Sequence, residues 1–237
     1  SGDDIIEGAA GADTLSGGSG GNDTVSYATD TAGVTVDLNA STASGAGSHA
    51  NGDTISGFEN VIGGSGADRL VAAAGSNTFT GNGDADTYVW TDISHATTAD
   101  ADTIIGFTDG ADLIELSLSN TLYLDGNNNA FSGSQAGEII WRDVAGDTYV
   151  EIDSNGNGSA DFRVILDSFA VGNLSEADFL FKNVVGSANA DNITGTSGDD
   201  TIEGAAGADT LSGGSAGTDT LSYSTDSTGV TIDLSGV

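Results

Sequence analysis

Gly186–Thr194 reads GSANADNIT, Gly195–Glu203 reads GTSGDDTIE and Gly204–Ser212 reads GAAGADTLS. These consecutive stretches share one frame, G-x-x-G-x-D-x-U-x, in which U is an aliphatic or aromatic residue. Gly213–Ser222 (GGSAGTDTLS) keeps the frame with one inserted residue. The frame returns at Gly8–Ser16 and Gly17–Ser26, after a partial copy at Ser1–Glu7. It returns again at Gly63–Val71 (GGSGADRLV), Ala72–Thr80 (AAAGSNTFT) and Gly81–Val89 (GNGDADTYV). Glycine tolerates positive φ, so the first six residues of a unit can turn tightly and present several carbonyls to one point. The closing x-U-x makes a short strand with a single inward apolar side chain, as the two-residue strand period requires. Two units complete one coil, so equivalent residues stack about one strand spacing apart, ~4.8 Å. Asp191 is therefore expected over Asp209, and Asp68 over Asp86, each pair 18 residues apart. The inserted residue makes the Asp200–Asp219 and Asp4–Asp23 pairs 19 apart.

A longer repeat contains the short one. Residues 1–41 align without a gap on residues 197–237, an offset of 196, with 30 of 41 positions identical. The sequence thus holds one full period and the beginning of the next. The parent expected from this is a long tandem array, with both ends of the sequence as positions inside it.

Charge then asks what the aspartates are for. The chain has 36 acidic residues against four basic ones, Arg69, Arg142, Arg163 and Lys182, for a formal net charge of -32. Such a surface repels nucleic acid and anionic lipid headgroups. Carboxylates stacked one strand spacing apart repel by roughly 1 kcal/mol in water and about 3–4 at an effective dielectric of 20. Summed along a row, this exceeds the ~5–15 kcal/mol that holds a domain together. A cation between the coils reverses the sign. Carboxylates and backbone carbonyls are hard oxygen ligands that suit Ca²⁺ better than zinc, copper or tightly octahedral Mg²⁺. A disordered acidic chain is the competing reading. It is disfavoured because 37% of the residues are apolar and many of them recur in phase. There is no Cys, which excludes disulfides, thiolate nucleophiles and Cys-based zinc sites.

The frame resembles the nonapeptide repeat of the repeats-in-toxin family. That resemblance implies an all-β fold, a parallel calcium β-roll, secreted by a type I system, typically from a Gram-negative bacterium. Carried onto this sequence, the candidate calcium ligands are Asp4, Asp13, Asp23, Asp68, Asn77, Asp84, Asp86, Asp191, Asp200, Asp209 and Asp219. The carbonyl-bearing turns carry Gly8, Gly11, Gly17, Gly63, Gly66, Gly81, Gly195, Gly198, Gly204, Gly207 and Gly213. Ala72 and Ala73 replace glycines, Asn77 replaces the Asp of the middle copy, and Asn189 stands at a glycine position, so those coils should bind weakly or not at all. Weaker candidates are Asp102, Asp112 and the loop Asp153-x-Asn155-x-Asn157-Gly158-x-x-Asp161. That loop follows D-x-[DN]-x-[DN]-G but has Val164 where the twelfth-position Glu belongs. A metal-free Asn-Gly hairpin explains it equally well.

Between the rolls, Val34, Val36 and Leu38 alternate as a strand, residues 39–51 read as a loop, and Ile55, Phe58 and Val61 return to the core. Longer strands are expected at Asp112–Ser119, Glu138–Val144, Thr148–Asp153 and Phe162–Leu166, and a capped helical turn within Ser175–Phe181. This region is similar to the one that follows the roll in serralysin-type proteases, where it packs as a β-sandwich-like cap. The expected division is 1–62 as a roll end and linker, 63–89 as a second roll, 90–183 as the cap, and 184–237 as the roll that begins the next repeat.

Catalytic signatures are missing. The two histidines, His49 and His95, form no H-E-x-x-H motif, and the lone Lys182 lies outside any phosphate loop. No membrane-spanning apolar run occurs in the sequence. The leading expectation is a non-enzymatic structural or adhesive module of an extracellular fibre, matrix or surface layer, folding on calcium and contacting copies of itself. The alternatives are a calcium-folded secretion and stability domain of a type I-secreted enzyme, or a calcium-dependent glycan binder.

Overall fold

The computed structural model describes residues 1–127 and 130–225. Threonine-rich triplets with one apolar centre become three-residue strands because only the central side chain finds the core. Thr14–Ser16, Thr24–Ser26 and Thr78–Thr80 each bury that centre, at Leu15, Val25 and Phe79. The first part of the chain carries β1 (Ile5–Ile6), β2 (Thr14–Ser16), β3 (Thr24–Ser26), β4 (Thr35–Asp37), β5 (Thr42–Ser44), β6 (Asp53–Ser56) and β7 (Asn60–Ile62). It continues with β8 (Arg69–Val71), β9 (Thr78–Thr80), β10 (Thr87–Trp90), β11 (Asp102–Ile105) and β12 (Leu113–Leu116). Longer strands follow, β13 (Leu122–Asn127), β14 (Glu138–Val144), β15 (Asp147–Asp153) and β16 (Phe162–Asp167). Short ones close the chain: β17 (Phe179–Phe181), β18 (Asn183–Val185), β19 (Asn192–Thr194), β20 (Thr201–Glu203), β21 (Thr210–Ser212) and β22 (Thr220–Leu221).

Successive short strands alternate between two walls. One is a twelve-stranded sheet in the order β1-β3-β7-β9-β11-β16-β15-β14-β13-β18-β20-β22. The other is an eight-stranded sheet, β17-β12-β10-β8-β4-β5-β6-β2, continued past a single bridge between Phe181 and Gly195 by the pair β19-β21. Neighbouring coils pair in parallel. Arg69 lies opposite Thr87 and Asn192 opposite Thr210, 18 residues apart, while Ile5 faces Thr24 and Thr201 faces Thr220, 19 apart. The inserted residue therefore acts as expected: the turn absorbs it and the strand register survives.

Both non-repetitive segments widen the walls without ending them. Residues 39–51, read from sequence as a loop, contain β5, which runs antiparallel between β4 and β6. It escaped notice because Ala43 is its only buried side chain and the backbone does the pairing. Strands β13 to β16 are inserted into the twelve-stranded wall, with two antiparallel pairings at β14–β15 and β15–β16. The expected strands at 138–144, 148–153 and 162–166 all form, and the expected turn is a 3-10 helix at Glu176–Asp178 with a Ser175–Asp178 capping box. One core joins the walls. Trp90 meets Phe79 and Phe162 edge-on, and Trp141 of β14 stacks on Phe179 of β17 at 5.2 Å. Each fully buried apolar side chain contributes about 1.5–3 kcal/mol, so the row of strand centres stabilises the stack throughout.

Candidate metal centre

The aspartates of the frame lie where each turn enters its strand, and they form rows along the roll. Within a row, one carboxylate oxygen accepts the backbone N–H of the acidic residue one coil back. Asp4 donates to Asp23 Oδ1 at 2.9 Å, Asp68 to Asp86 at 2.9 Å, Asp191 to Asp209 at 3.1 Å and Asp200 to Asp219 at 3.2 Å. The stacked pairs expected from the 18- and 19-residue spacings are thus in place. Their mutual repulsion is already partly offset, because charge-assisted hydrogen bonds to N–H groups favour the ionised form.

The rows run beyond the nonapeptides. Asp13 donates to Asp53 and Asp23 to Glu59 Oε2, both at 2.8 Å, while Asn77 donates to Asp102 at 2.7 Å and Asp86 to Asp112 at 2.9 Å. Asp102 and Asp112, the weaker candidates, are therefore members of the same rows. Asp53 and Glu59 were missed. The signal was present in the second half of the frame, which survives without its glycines: Asp53-Thr-Ile-Ser and Asp102-Thr-Ile-Ile read like Asp13-Thr-Leu-Ser.

The second carboxylate oxygen separates the sites. Asp13 Oδ2, Asp86 Oδ2 and Asp200 Oδ2 are buried without a hydrogen-bond partner. A buried anionic oxygen with no partner costs several kcal/mol unless it is protonated or meets a cation. Burial itself, whether or not the oxygen has a partner, pushes Asp86 and Asp102 up to about 7 and raises Asp68, Asp112 and Asp200 above the ordinary carboxylate range. Other members are satisfied within the protein. Tyr27 Oη donates to Asp53, Trp90 Nε1 to Asp102 and the Thr108 N–H to Asp112. In the middle copy, Asn77 Oδ1 takes the Ala73 N–H, consistent with a coil that needs no ion.

The glycines of position one do something other than turn the chain. Positive φ falls at position two, at Ala9 (+58°), Asn82 (+78°) and Ala205 (+59°), and in some units at position four, at Gly11 (+145°), Gly75 (+101°), Asp84 (+57°) and Gly207 (+152°). Position one is instead a matter of space. A Cβ on Gly186 would stand 2.5 Å from Asp191 Oδ2 and 2.6 Å from the Gly204 carbonyl oxygen. On Gly195 it would stand 2.6 Å from Asp200 Oδ2 and 2.7 Å from the Gly213 carbonyl. Beside Gly63, Asp68 Oδ2 and the Gly81 carbonyl converge in the same way, and Asp68 Oδ2 and Asp191 Oδ2, unlike Asp200 Oδ2, each also accept a backbone N–H, from Gly64 and Ser187. A carboxylate oxygen from one coil and a carbonyl from the next therefore face one cradle that any side chain would fill. That donor set fits Ca²⁺, which takes oxygens at about 2.3–2.6 Å. Among the described residues no three His, Cys, Asp or Glu side chains form a group that could hold a metal ion, so an ion here depends on backbone carbonyls beside the carboxylates.

The Asp153 loop is different. Asp153 Oδ1 accepts N–H groups from Asn155, Gly156 and Asn157, and Oδ2 accepts from Gly158 at 2.6 Å. Burial would raise its pKa, but these four donors outweigh that and hold it below the ordinary value. Asp161 Oδ2 is likewise engaged by the Ser154 N–H and hydroxyl and by Asn155 Nδ2. The loop closes on itself through backbone hydrogen bonds. Of the remaining candidates, Asp84 is exposed, and Gly8, Gly17, Gly81, Gly204 and Gly213 each pack against the carboxylate of their own unit. Gly66 lies against the backbone of Ala32 and Gly33, and Gly198 is open apart from Thr196 Oγ1.

Residues 16–181 match the family described as peptidase M10 serralysin C terminal. The chain belongs to that family. Residues 1–25, which overlap the start of this serralysin C-terminal region, and 185–221 match the family described as RTX calcium-binding nonapeptide repeat (4 copies). The nonapeptides in those two stretches are thus calcium-binding repeats, and neither family description is of a catalytic domain. Among solved structures, the R3 subunit of a mannuronan C5-epimerase from Azotobacter vinelandii is similar, with 20% identity over 76% of this chain and 78% of that one, at a TM-score of 0.39. No curated protein matches. Among the described residues no helix is long and apolar enough to cross a membrane.

Proposed function

We propose that this chain is a non-enzymatic, calcium-folded structural module of a long repetitive extracellular protein. The observation that carries the reading is the set of buried aspartate oxygens without partners, at Asp13, Asp86 and Asp200, in glycine corners that admit no side chain. In this reading Ca²⁺ is held by the frame aspartates Asp4, Asp13, Asp23, Asp68, Asp86, Asp191, Asp200, Asp209 and Asp219 with carbonyls of the glycine turns. It supplies the positive charge that lets stacked carboxylates stay ionised. The Asn77 coil and the Asp153 loop hold no ion. At cytosolic calcium the chain stays expanded by self-repulsion, which suits export; outside the cell, sites of ~10⁻⁴–10⁻³ M affinity fill and the roll forms.

The 196-residue period supports a role in reach and repeated contact, since arrays stack each unit on its neighbour. The division into 1–62, 63–89, 90–183 and 184–237 then describes stretches of one roll. The last of these extends past the described residues. A second reading, a secretion and stability domain of an exported enzyme, is favoured by the match of residues 16–181 to a serralysin C-terminal region. The sequence flanking the module in its gene separates the two: further 196-residue periods support the array, and an adjoining protease supports the appendage. The calcium claim common to both is tested by far-UV circular dichroism. A β signature is expected with calcium and not with magnesium at the same concentration, and equal spectra in the two ions would overturn it.

A further inference from the structure

A second cluster of charge stands apart from the carboxylate rows. On the face of β14–β16 turned away from the shared core, Arg163 lies directly opposite Glu151, and Arg142, opposite Tyr149, is its diagonal neighbour. Glu151 Oε2 accepts from Arg142 Nε at 2.6 Å, and Oε1 accepts from Arg142 Nη2 at 3.2 Å and Arg163 Nε at 2.8 Å. Arg163 Nη2 also comes within 2.7 Å of Oε1, and its guanidinium lies over the Tyr149 ring, 5.1 Å from the centre. Two of the chain's four basic side chains therefore grip one carboxylate that is 1% exposed.

This is a costly way to hold a sheet, because well-packed apolar residues of similar size commonly stabilise as much as a buried ion triad or more. What the triad supplies instead is a fixed positive charge. Two guanidiniums and one carboxylate leave a single positive charge in a chain whose formal net charge is -32. Nη1 of Arg142 and Nη1 of Arg163 make no hydrogen bond to a described residue. Both planar forks are already held, so a third partner costs little further side-chain freedom. The triad lines a pocket of about 270 Å³ together with Ala130, Phe131 and Ile140, and among the described residues no other charged side chain lines it. Ile140 is 1% exposed there although it lies outside the shared core.

We propose that this pocket binds a small apolar monocarboxylate, a short aliphatic or aromatic acid. Its carboxylate meets the free Nη1 groups of Arg142 and Arg163, and its body packs on Phe131 and Ile140. Charge selects one carboxylate, since one negative charge balances the triad. A polyanion would meet the repulsion of the acidic surface around the pocket. The apolar side chains select the body, because a hydroxyl set against them loses its bond to water without gaining another. The volume admits a single ring or a short chain, as small-molecule pockets of mostly apolar lining with a few fixed polar groups do. None of the frame aspartates lines this pocket, so the site stands whether or not the roll folds on calcium.

Ligand-observed NMR titration of the full chain in calcium buffer tests this, with benzoate and valerate as probes and benzamide and glucuronate as comparisons. The two apolar acids are expected to bind with Kd of ~1 mM, benzamide not to saturate, and glucuronate to bind at least tenfold more weakly. Arg163→Lys keeps the charge and an ion pair with Glu151 but gives up the planar fork, so benzoate affinity should fall about tenfold or more. Phe131→Ala removes the aromatic wall from a half-buried loop position and should weaken benzoate several-fold with the circular dichroism spectrum unchanged; it carries the test if Arg163→Lys does not fold. Absence of binding by either acid, equal affinity for benzamide, or wild-type affinity in the folded variants would overturn the site. Tighter binding of glucuronate than of benzoate would overturn the apolar ligand.

Discussion

The glycine corner at Gly195 gives the sharpest separation between packing and metal binding. Gly195→Ala places a methyl 2.6 Å from Asp200 Oδ2 and 2.7 Å from the Gly213 carbonyl, both closer than real Cβ contacts come. Overpacking alone costs about 1–3 kcal/mol, whatever the calcium concentration. If these two oxygens are calcium ligands, the substitution also removes one site. A site with Kd near 10⁻⁴ M contributes about 2.7 kcal/mol at ~10 mM calcium. The two losses together come to about 4–6 kcal/mol. The decisive quantity is their calcium dependence, because each saturating site adds about 1.4 kcal/mol of stability per tenfold rise in calcium. Urea unfolding at several calcium concentrations should show the slope of stability against log calcium lowered by about 1.4 kcal/mol per decade in the variant. Gly172→Ala is the control, as nothing lies within 4 Å of its added methyl. A Gly195→Ala line parallel to wild type, merely displaced downward, would refute the assignment of this corner to calcium.

Other outcomes follow from the same geometry. Asn77→Ala should destabilise by about 1–2 kcal/mol through the lost acceptor for the Ala73 N–H, with the calcium slope unchanged; a lower slope would mean that this coil binds an ion after all. Glu151 is 1% exposed between Arg142 (2.6 Å) and Arg163 (2.7 Å), so Glu151→Gln should cost about 2–4 kcal/mol at every calcium concentration, read by thermal unfolding. pH supplies a further test. Burial lifts Asp86 and Asp102 to about 7, above their unfolded value of about 3.9, so the metal-free fold holds those protons more tightly than the unfolded chain. Stability from this source is fully present below about pH 4 and is lost as pH rises towards 7, by up to roughly 4 kcal/mol per group. In chelator, acidification to about pH 4.5 should recover β structure that is absent at about pH 8, and identical spectra at the two pH values would contradict this.

The short frame made most of the roll legible before any coordinates, because its period fixes the strand, the inward residue and the coil-to-coil register at once. Tyr88, Leu70 and Phe79 are buried as the centres of their triplets, and one inserted residue shifts the spacing from 18 to 19 without disturbing the pairing. The long strands at 138–144 and 147–153 were legible from their alternation. Strand β5 was not, since backbone pairing leaves no pattern in small polar residues. The rows of carboxylates were read only where glycines announced them; Asp53 and Glu59 cap their neighbours' N–H groups from segments that lack the turn. The glycines of the first six residues point as a group to positive φ, whereas at position one glycine provides room for the aspartate and the next carbonyl. That distinction depends on how closely two coils approach, which one coil's sequence does not state.

Small-angle X-ray scattering during a calcium titration tests the central claim most directly. Twelve strands at ~4.8 Å make a short rod with a radius of gyration of about 20 Å, while an unfolded chain of this length has about 50 Å. Coupled folding and binding predicts the larger value in chelator and the smaller one at millimolar calcium. A radius near 20 Å in chelator at neutral pH, unaltered by the ion, would mean that the stacked aspartates are held apart by the protein alone.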